Sequence, residues 1–160
     1  MGLHIDRYER IWIIIAFISM AVLLSLVTIA SGNMTMALPG VGGVIDPKTV
    51  LRTAPFDKPG VYEISPGKYD VIIVAKATPW SFTPNEIRVK AGSTVTFKIT
   101  STDVTHGFML EGTNANVMTI PGQISIVTVK FDKPGEHLFV CHEYCGVGHQ
   151  TMSGKVVVEP

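Results

Sequence analysis

Residues 86–100, EIRVKAGSTVTFKIT, decide the fold of this chain. Polar and apolar residues alternate strictly from Glu86 to Lys90, Ala91 and Gly92 form a turn, and a second run rich in β-branched residues follows. Alternation with a period of two places one row of side chains against a core and the other row in solvent, as in a half-buried β-strand. The segment therefore predicts two strands separated by a tight turn.

Further runs of the same kind occupy most of the second half of the chain. They are residues 69–75, 124–130, 136–141 and 155–158, and turns containing glycine or proline punctuate this half of the chain. Short strands at regular spacing are typical of a β-sandwich or a β-barrel. Because no long amphipathic pattern follows residue 55, we predict an all-β domain over residues 56–160.

The N-terminal part has a different character. Residues 11–30 carry no charge, and about 20 helical residues, rising roughly 1.5 Å each, span the hydrocarbon core of a bilayer. Tyr8 and Trp12 stand where interfacial aromatic side chains are expected. A cleaved signal peptide is the alternative, but its apolar region usually runs only about 7–15 residues. We therefore predict a transmembrane helix over residues 11–30.

Flanking charges predict the orientation of this helix. Arg7 and Arg10 precede it, whereas no lysine or arginine follows it until Lys48. The positive-inside rule then places residues 1–10 in the cytoplasm. The remainder lies on the periplasmic or outer side of the cell (inner or plasma) membrane, which the chain crosses once. Residues 31–55 are predicted to be a linker with a short helix near residues 47–52.

Composition agrees with a membrane protein and argues against one partner class. Only 16% of the residues are charged, against roughly 25% in soluble domains. Thirteen basic residues balance thirteen acidic ones, whereas nucleic-acid-binding proteins usually carry a basic surplus. We therefore expect contact with membrane lipid and no nucleic-acid partner.

The chemistry is concentrated in residues 141–152, CHEYCGVGHQTM, which hold two thiols, two imidazoles and a thioether between two predicted strands. Thiolate and thioether are soft ligands that suit copper, and imidazole also binds copper well. Gly146 and Gly148 allow a loop tight enough to bring several side chains to one point. His106 lies 35 residues before the first cysteine, a separation that neighbouring strands of a sandwich can close.

The same residues could also form a disulfide, a zinc site or a mononuclear copper site. A disulfide between Cys141 and Cys145 would close only a small loop, and zinc bound with His106 and His149 would have no use for Met152. A mononuclear blue-copper site takes one cysteine, two histidines and a weak axial methionine, which leaves one cysteine unused. The surplus cysteine points to a binuclear centre in which two thiolates bridge two copper ions.

The loop 141–152 and the segment 103–108, DVTHGF, resemble subunit II of cytochrome c oxidase, specifically its copper-bearing domain with the binuclear CuA centre. The resemblance covers the chain from about Tyr69 to the end. It implies an all-β, cupredoxin-like Greek-key sandwich or barrel, anchored by one N-terminal transmembrane helix. Residues 56–160 would be this CuA domain.

The resemblance also implies how the first copper ion is held. Cys141 and Cys145 would bridge both ions. His106 and Met152 would complete the coordination of one of them. The chain itself would hold no haem.

Three further residues receive roles by the same resemblance. His149 and the backbone carbonyl of Glu143 would complete the second copper ion. The Glu143 carboxylate is available to a magnesium ion at the interface with subunit I. Trp80 is expected to mark the place where electrons enter.

The implied function is that of an electron relay in a respiratory oxidase. Electrons would come from cytochrome c and pass to haem in subunit I, where O2 is reduced to water. A single membrane helix resembles the B-type (ba-type) oxidases and leaves open whether a small separate subunit supplies a second helix. A relative that reduces nitric oxide also remains open.

The alternative from another class is a membrane-anchored copper chaperone or thiol oxidoreductase of the Sco type. Such proteins also follow one helix with Cys-x3-Cys and a distant histidine. They have a thioredoxin-like fold in which the cysteines come early and a long α/β stretch follows. Here Cys141 and Cys145 come late, among predicted strands.

Overall fold

The structure, a computed structural model, describes residues 6–33 and 40–160. The chain divides into two compact units, Met1–Met36 and Ala37–Pro160. The first contains one helix, α1 (Arg7–Asn33), whose residues Arg7–Ala30 are long and apolar enough to cross a membrane. The Ser19 and Ser25 hydroxyls donate to backbone carbonyls four residues earlier, so these polar groups are satisfied within the helix itself.

The second unit is a β-sandwich. Over residues 40–160 its strands are β1 (Gly40–Val44), β2 (Gly60–Ser65), β3 (Lys68–Ala77), β4 (Trp80–Thr83), β5 (Glu86–Lys90), β6 (Ser93–Ser101), β7 (His106–Leu110), β8 (Asn116–Thr119), β9 (Gln123–Phe131), β10 (Gly135–Val140) and β11 (Ser153–Glu159). One sheet has the order β1-β9-β6-β3-β2, with β4 also paired to β3, and the other has the order β5-β11-β10-β7-β8.

The two strands predicted from residues 86–100 are present, and they belong to different sheets. β5 pairs in parallel with β11, whereas β6 pairs with β3 and β9. Between them Gly92 has a φ of +81°, a left-handed conformation that glycine adopts without steric cost. The turn therefore carries the chain from one sheet to the other, and the alternating side chains of both strands face the same core.

Aromatic rings join the two sheets next to the metal-ligand candidates. Phe82 and Phe97 from one sheet both contact Phe108 from the other. Phe139, also from the other sheet, contacts Phe82 and Phe108. The ring centroids in these pairs are 5.1 to 5.8 Å apart. Phe108 and Phe139 each stand two positions from a candidate ligand, His106 or Cys141. Because alternate residues of a strand share a face, those candidates continue the core-facing rows.

Part of the segment expected to be a linker is folded onto the sandwich. β1 pairs with β9, and a 3₁₀ helix covers Val50–Arg52. A Cβ on Gly42 would lie 2.3 Å from Cδ1 of Ile126, so a larger residue there would force that side chain to shift. The glycine-rich sequence has no alternating pattern, which is why the strand was not expected. Met34 and Met36, which lie in the predicted linker, are outside the described residues.

Candidate metal centre

Two neighbouring strands bring the distant parts of the centre together. β10 pairs with β7 through Phe139 opposite Leu110 and Val140 opposite Met109. This pairing places the loop that follows β10 beside His106, the first residue of β7. The backbone N–H of Cys141 donates to the carbonyl of Met152 at 3.0 Å and closes the base of the loop.

The soft donors predicted from sequence converge at one end of the core. The Cys141 Sγ lies 3.9 Å from Nδ1 of His106 and 3.7 Å from the Cys145 Sγ. The Cys145 Sγ lies in turn 3.6 Å from Nδ1 of His149 and 3.9 Å from Sδ of Met152. The ligand atoms of His106, Cys141 and Cys145 all lie within 4.8 Å of one another.

The backbone of Glu143 lies beside the thiols. Its carbonyl oxygen lies 3.2 Å from the Cys141 Sγ, within the same cluster. The residue itself is exposed. The carboxylate is therefore free to serve another purpose on the surface.

The two cysteines are free thiols. Their sulfur atoms are 3.7 Å apart, whereas a disulfide needs about 2.05 Å. Burial and, to a smaller extent, the contact with Cys141 together raise the pKa of the Cys145 thiol to about 12. The metal-free thiol is therefore protonated at neutral pH and must release its proton when a metal binds.

Asp103, to which sequence analysis assigned no role, holds His106 from behind. Its Oδ1 lies 3.0 Å from Nε2 of His106, and its Oδ2 accepts the Ala77 N–H at 2.6 Å. Partial burial raises the pKa of Asp103, but hydrogen bonds from Ala77, His106 and Val104 outweigh it and lower the pKa overall. The ionised carboxylate turns Nδ1 of His106 toward the thiols, the usual way in which a second carboxylate orients a metal-binding histidine.

The expected electron-entry residue, Trp80, lies against the ligand loop. It opens β4 and is half-buried. Its indole N–H donates to the carbonyl of Cys145 at 3.1 Å, and its ring covers Gly146 and Gly148. Trp80 is thus in direct contact with the backbone that carries the candidate ligands.

Two buried thiols, a buried thioether and two imidazoles form a donor set that fits copper. Together, the β-sandwich and this donor set define a cupredoxin-like copper domain. Residues 77–159 match the family described as "Cytochrome C oxidase subunit II, periplasmic domain". The chain belongs to this family, and it is accordingly an electron-transfer subunit of an oxidoreductase complex. Its apolar helix and outside domain fit a membrane-anchored protein.

Individual relatives agree with the family assignment. A cytochrome c oxidase subunit 2 from Thermus thermophilus is 38% identical over 156 residues, which are 95% of this chain and 92% of that protein. A solved heme-copper terminal oxidase structure contains a chain with 37% identity and a TM-score of 0.76, over 96% of this chain and 100% of that one.

A more distant solved structure shows the fold alone. It is the periplasmic domain of cytochrome oxidase subunit II from Bradyrhizobium japonicum, with 22% identity and a TM-score of 0.51 over 56% of this chain and 82% of that one. The predicted cupredoxin-like fold is confirmed. The Sco-type alternative, which requires a thioredoxin-like α/β domain, does not fit the strands and 3₁₀ turns found over residues 40–160.

Proposed function

We propose that this chain is the electron-entry subunit of a terminal respiratory oxidase. A cytochrome c delivers the electron to the β domain, and haem in subunit I receives it for reduction of O2 to water. The observation that carries the proposal is the convergence of two thiols, two imidazoles, a thioether and a backbone carbonyl in contacts of 3.2 to 3.9 Å.

These donors would hold a binuclear copper centre of the CuA type. Cys141 and Cys145 would bridge, and the further donors are His106, His149, Met152 and the Glu143 carbonyl. When bound, copper supplies a one-electron carrier. By family resemblance His106 and Met152 serve one ion, and His149 and Glu143 serve the other. In the absence of metal, His106 and the Glu143 carbonyl lie nearest the Cys141 sulfur, and His149 and Met152 lie nearest the Cys145 sulfur, so the pairing rests on the resemblance.

The protein frame suits rapid transfer since it fixes the donors before metal binds. His106 is fully buried, and Cys141, Cys145 and Met152 are at most 8% exposed. Side chains held by close packing cannot rearrange freely. The ligand geometry therefore changes little between oxidation states, and water is kept away from the sulfur atoms.

In this proposal electrons enter and leave the copper centre through different residues. The ring of Trp80 is half-exposed and hydrogen-bonded to the Cys145 carbonyl, which supports entry there. His149 is half-buried, which supports an exit through its outer edge toward subunit I. The exposed Glu143 carboxylate supports a magnesium ion at the same interface.

The sequence and the family support a position relative to the membrane for each part of the chain. Residues 1–10 lie in the cytoplasm, residues 11–30 cross the inner or plasma membrane and contact its lipid, and the copper domain lies outside. The chain associates with other oxidase subunits, including subunit I.

Copper stoichiometry and electron paramagnetic resonance of the full chain in detergent test the proposal. We expect close to two copper ions per chain that share one unpaired electron, and loss of that signal in Cys145→Ser. One copper ion with a blue-site spectrum would replace the binuclear centre by a mononuclear carrier. Failure to retain copper, with reversible oxidation of both thiols to a disulfide, would reject the electron-relay assignment.

A further inference from the structure

Residues 77–80, which we call the hairpin tip, contact the metal-ligand loop through Trp80. They also contact Asp103, the partner of His106, through Ala77. We propose that Trp80 is a positioning residue that fixes the ligand loop 145–149, and that the hairpin tip ties this loop to the strand carrying His106. The role of the tip in copper binding rests on the proposed function. Its role in holding the loop does not.

The first contact is the hydrogen bond from the Trp80 indole to the Cys145 carbonyl, at 3.1 Å. The two residues are 65 positions apart in the chain, so this bond ties the loop to the opposite sheet. It fixes the backbone of a residue whose side chain is a candidate bridging ligand. Phenylalanine could fill the same space but has no N–H to donate.

The second contact, between the Trp80 ring and Gly148, explains why residue 148 is a glycine although its backbone conformation does not require one. Gly148 has φ −93° and ψ 10°, a conformation open to residues with side chains. Its Cβ, however, would lie 2.4 Å from Cδ2 and Cε3 of Trp80, and a rigid indole ring cannot give way as a flexible chain end would. Glycine at 148 therefore allows the ring to lie flat against the loop one residue before His149.

Gly146 differs and provides a matched comparison. Its φ is +122°, a region that disfavours side chains wherever they point. A Cβ there would also approach the indole at 3.1 Å. Alanine at 146 is thus strained by its own backbone, whereas the three atoms nearest to a Cβ at 148 all belong to Trp80.

The other side of the hairpin tip holds the histidine strand. Ala77 and Trp80 face each other across β3 and β4, so they move as one unit. The Ala77 N–H donates to Asp103 at 2.6 Å, and Asp103 in turn holds His106. One short hairpin therefore positions Cys145 and His149 through Trp80, and His106 through Ala77 and Asp103.

Copper retention in the full chain is the first test. Trp80→Phe keeps a ring and removes the N–H, so we expect copper affinity, measured by competition with a chelator, to fall about 10–100-fold, the range seen when partners of metal ligands are lost. The reduction potential and the copper spectrum should shift with it. Affinity, potential and spectrum identical to those of the unchanged chain would overturn the proposal.

Phe82→Leu is the control for general loss of stability. Phe82 lies on the same strand, but it packs against Phe108 and Phe139 in the core. We expect this variant to unfold at a lower temperature with the copper spectrum unchanged. If it altered the spectrum as much as Trp80→Phe, the effect of Trp80 would be one of stability alone and the proposal would fail.

A double-mutant cycle in the metal-free full chain is the second test. Gly148→Ala should lower the thermal midpoint in the presence of Trp80 and lose most of this effect together with Trp80→Leu. Gly146→Ala should remain destabilising in both backgrounds because its backbone is strained. Additive effects of Gly148→Ala and Trp80→Leu would contradict the proposed contact, since residues in contact are expected to be coupled.

The two tests separate this proposal from the proposed function. The cycle needs no copper, so a chain that binds none but shows the coupling would retain the positioning role and lose the electron-relay role. A chain with a binuclear spectrum and no coupling would show the reverse.

Discussion

His106 and His149 present the same atom, Nδ1, to a cysteine sulfur, yet their surroundings differ. His106 begins a strand, is fully buried, and has its second nitrogen held by Asp103. His149 begins a 3₁₀ turn and is half-buried. Over the described residues, no hydrogen bond reaches its second nitrogen, and the ring of Tyr144 lies 5.8 Å away.

This difference separates a donor fixed by the core from a donor fixed by a loop. His106 belongs to the sheet and is in place before metal binds. His149 depends on the loop backbone, and that backbone depends on Trp80. The structure therefore predicts that loss of the His106 side chain affects both folding and copper, whereas loss of the His149 side chain affects copper with little effect on folding.

The largest effect is expected from replacing the two histidines by alanine. His106→Ala leaves a cavity and an unpartnered carboxylate, so we expect the metal-free chain to lose about 2–5 kcal/mol of unfolding free energy. His149→Ala should cost less than about 1 kcal/mol, as at other accessible positions. Denaturant unfolding of both metal-free variants measures the difference, and equal losses would contradict the comparison. Each variant should also lose the binuclear spectrum.

A smaller effect is expected from the residues behind each histidine. Asp103→Asn keeps the shape but loses the charge that orients His106, so copper affinity should fall about 10–100-fold. Tyr144→Leu on the other side should change affinity little, because Tyr144 only touches the ring edge. Competition with a chelator of known affinity measures both, and a larger loss in Tyr144→Leu would reverse the proposed order.

A weaker dependence still is expected on ionic strength. The chain has thirteen basic and thirteen acidic residues, and Val147, between the two glycines that Trp80 covers, is 81% exposed. Docking of cytochrome c should therefore rest on apolar contact, and its rate should vary by less than about tenfold with salt, below the range of strong electrostatic steering. A steep decline in stopped-flow rates with added salt would show that charges guide the donor.

The smallest effect on copper is expected at Glu143. In the proposed centre its donor is the backbone carbonyl, so Glu143→Gln should leave the copper spectrum and affinity unchanged. The same variant should weaken magnesium binding in the assembled oxidase, because an amide is a poorer ligand for that ion than a carboxylate. Metal analysis and copper spectroscopy on one preparation test both statements. A changed copper spectrum would indicate that the side chain takes part in the centre.

Local pattern predicted the helix and several of the strands, and it singled out the candidate donor residues. Strict alternation over residues 86–90 predicted β5, the uncharged run 11–30 predicted the helix, and the spacing within 141–152 predicted the donors. These features are local because side-chain period and ligand spacing are properties of consecutive residues. The strand β1 was missed because its glycine-rich sequence has no alternating pattern. Its place in the sheet depends on pairing with β9.

Only the tertiary structure decided how the donors are held. Asp103 appeared in the sequence as part of a motif without a role, and its bond to Ala77 spans 26 positions. Trp80 was expected as an electron-entry residue, but its bond to Cys145 spans 65 positions. Glycine at 148 looked like a requirement of a tight loop, whereas its backbone is ordinary and the indole ring is the cause. Consecutive residues determine which atoms can bind copper, and packing between distant strands determines where those atoms are fixed.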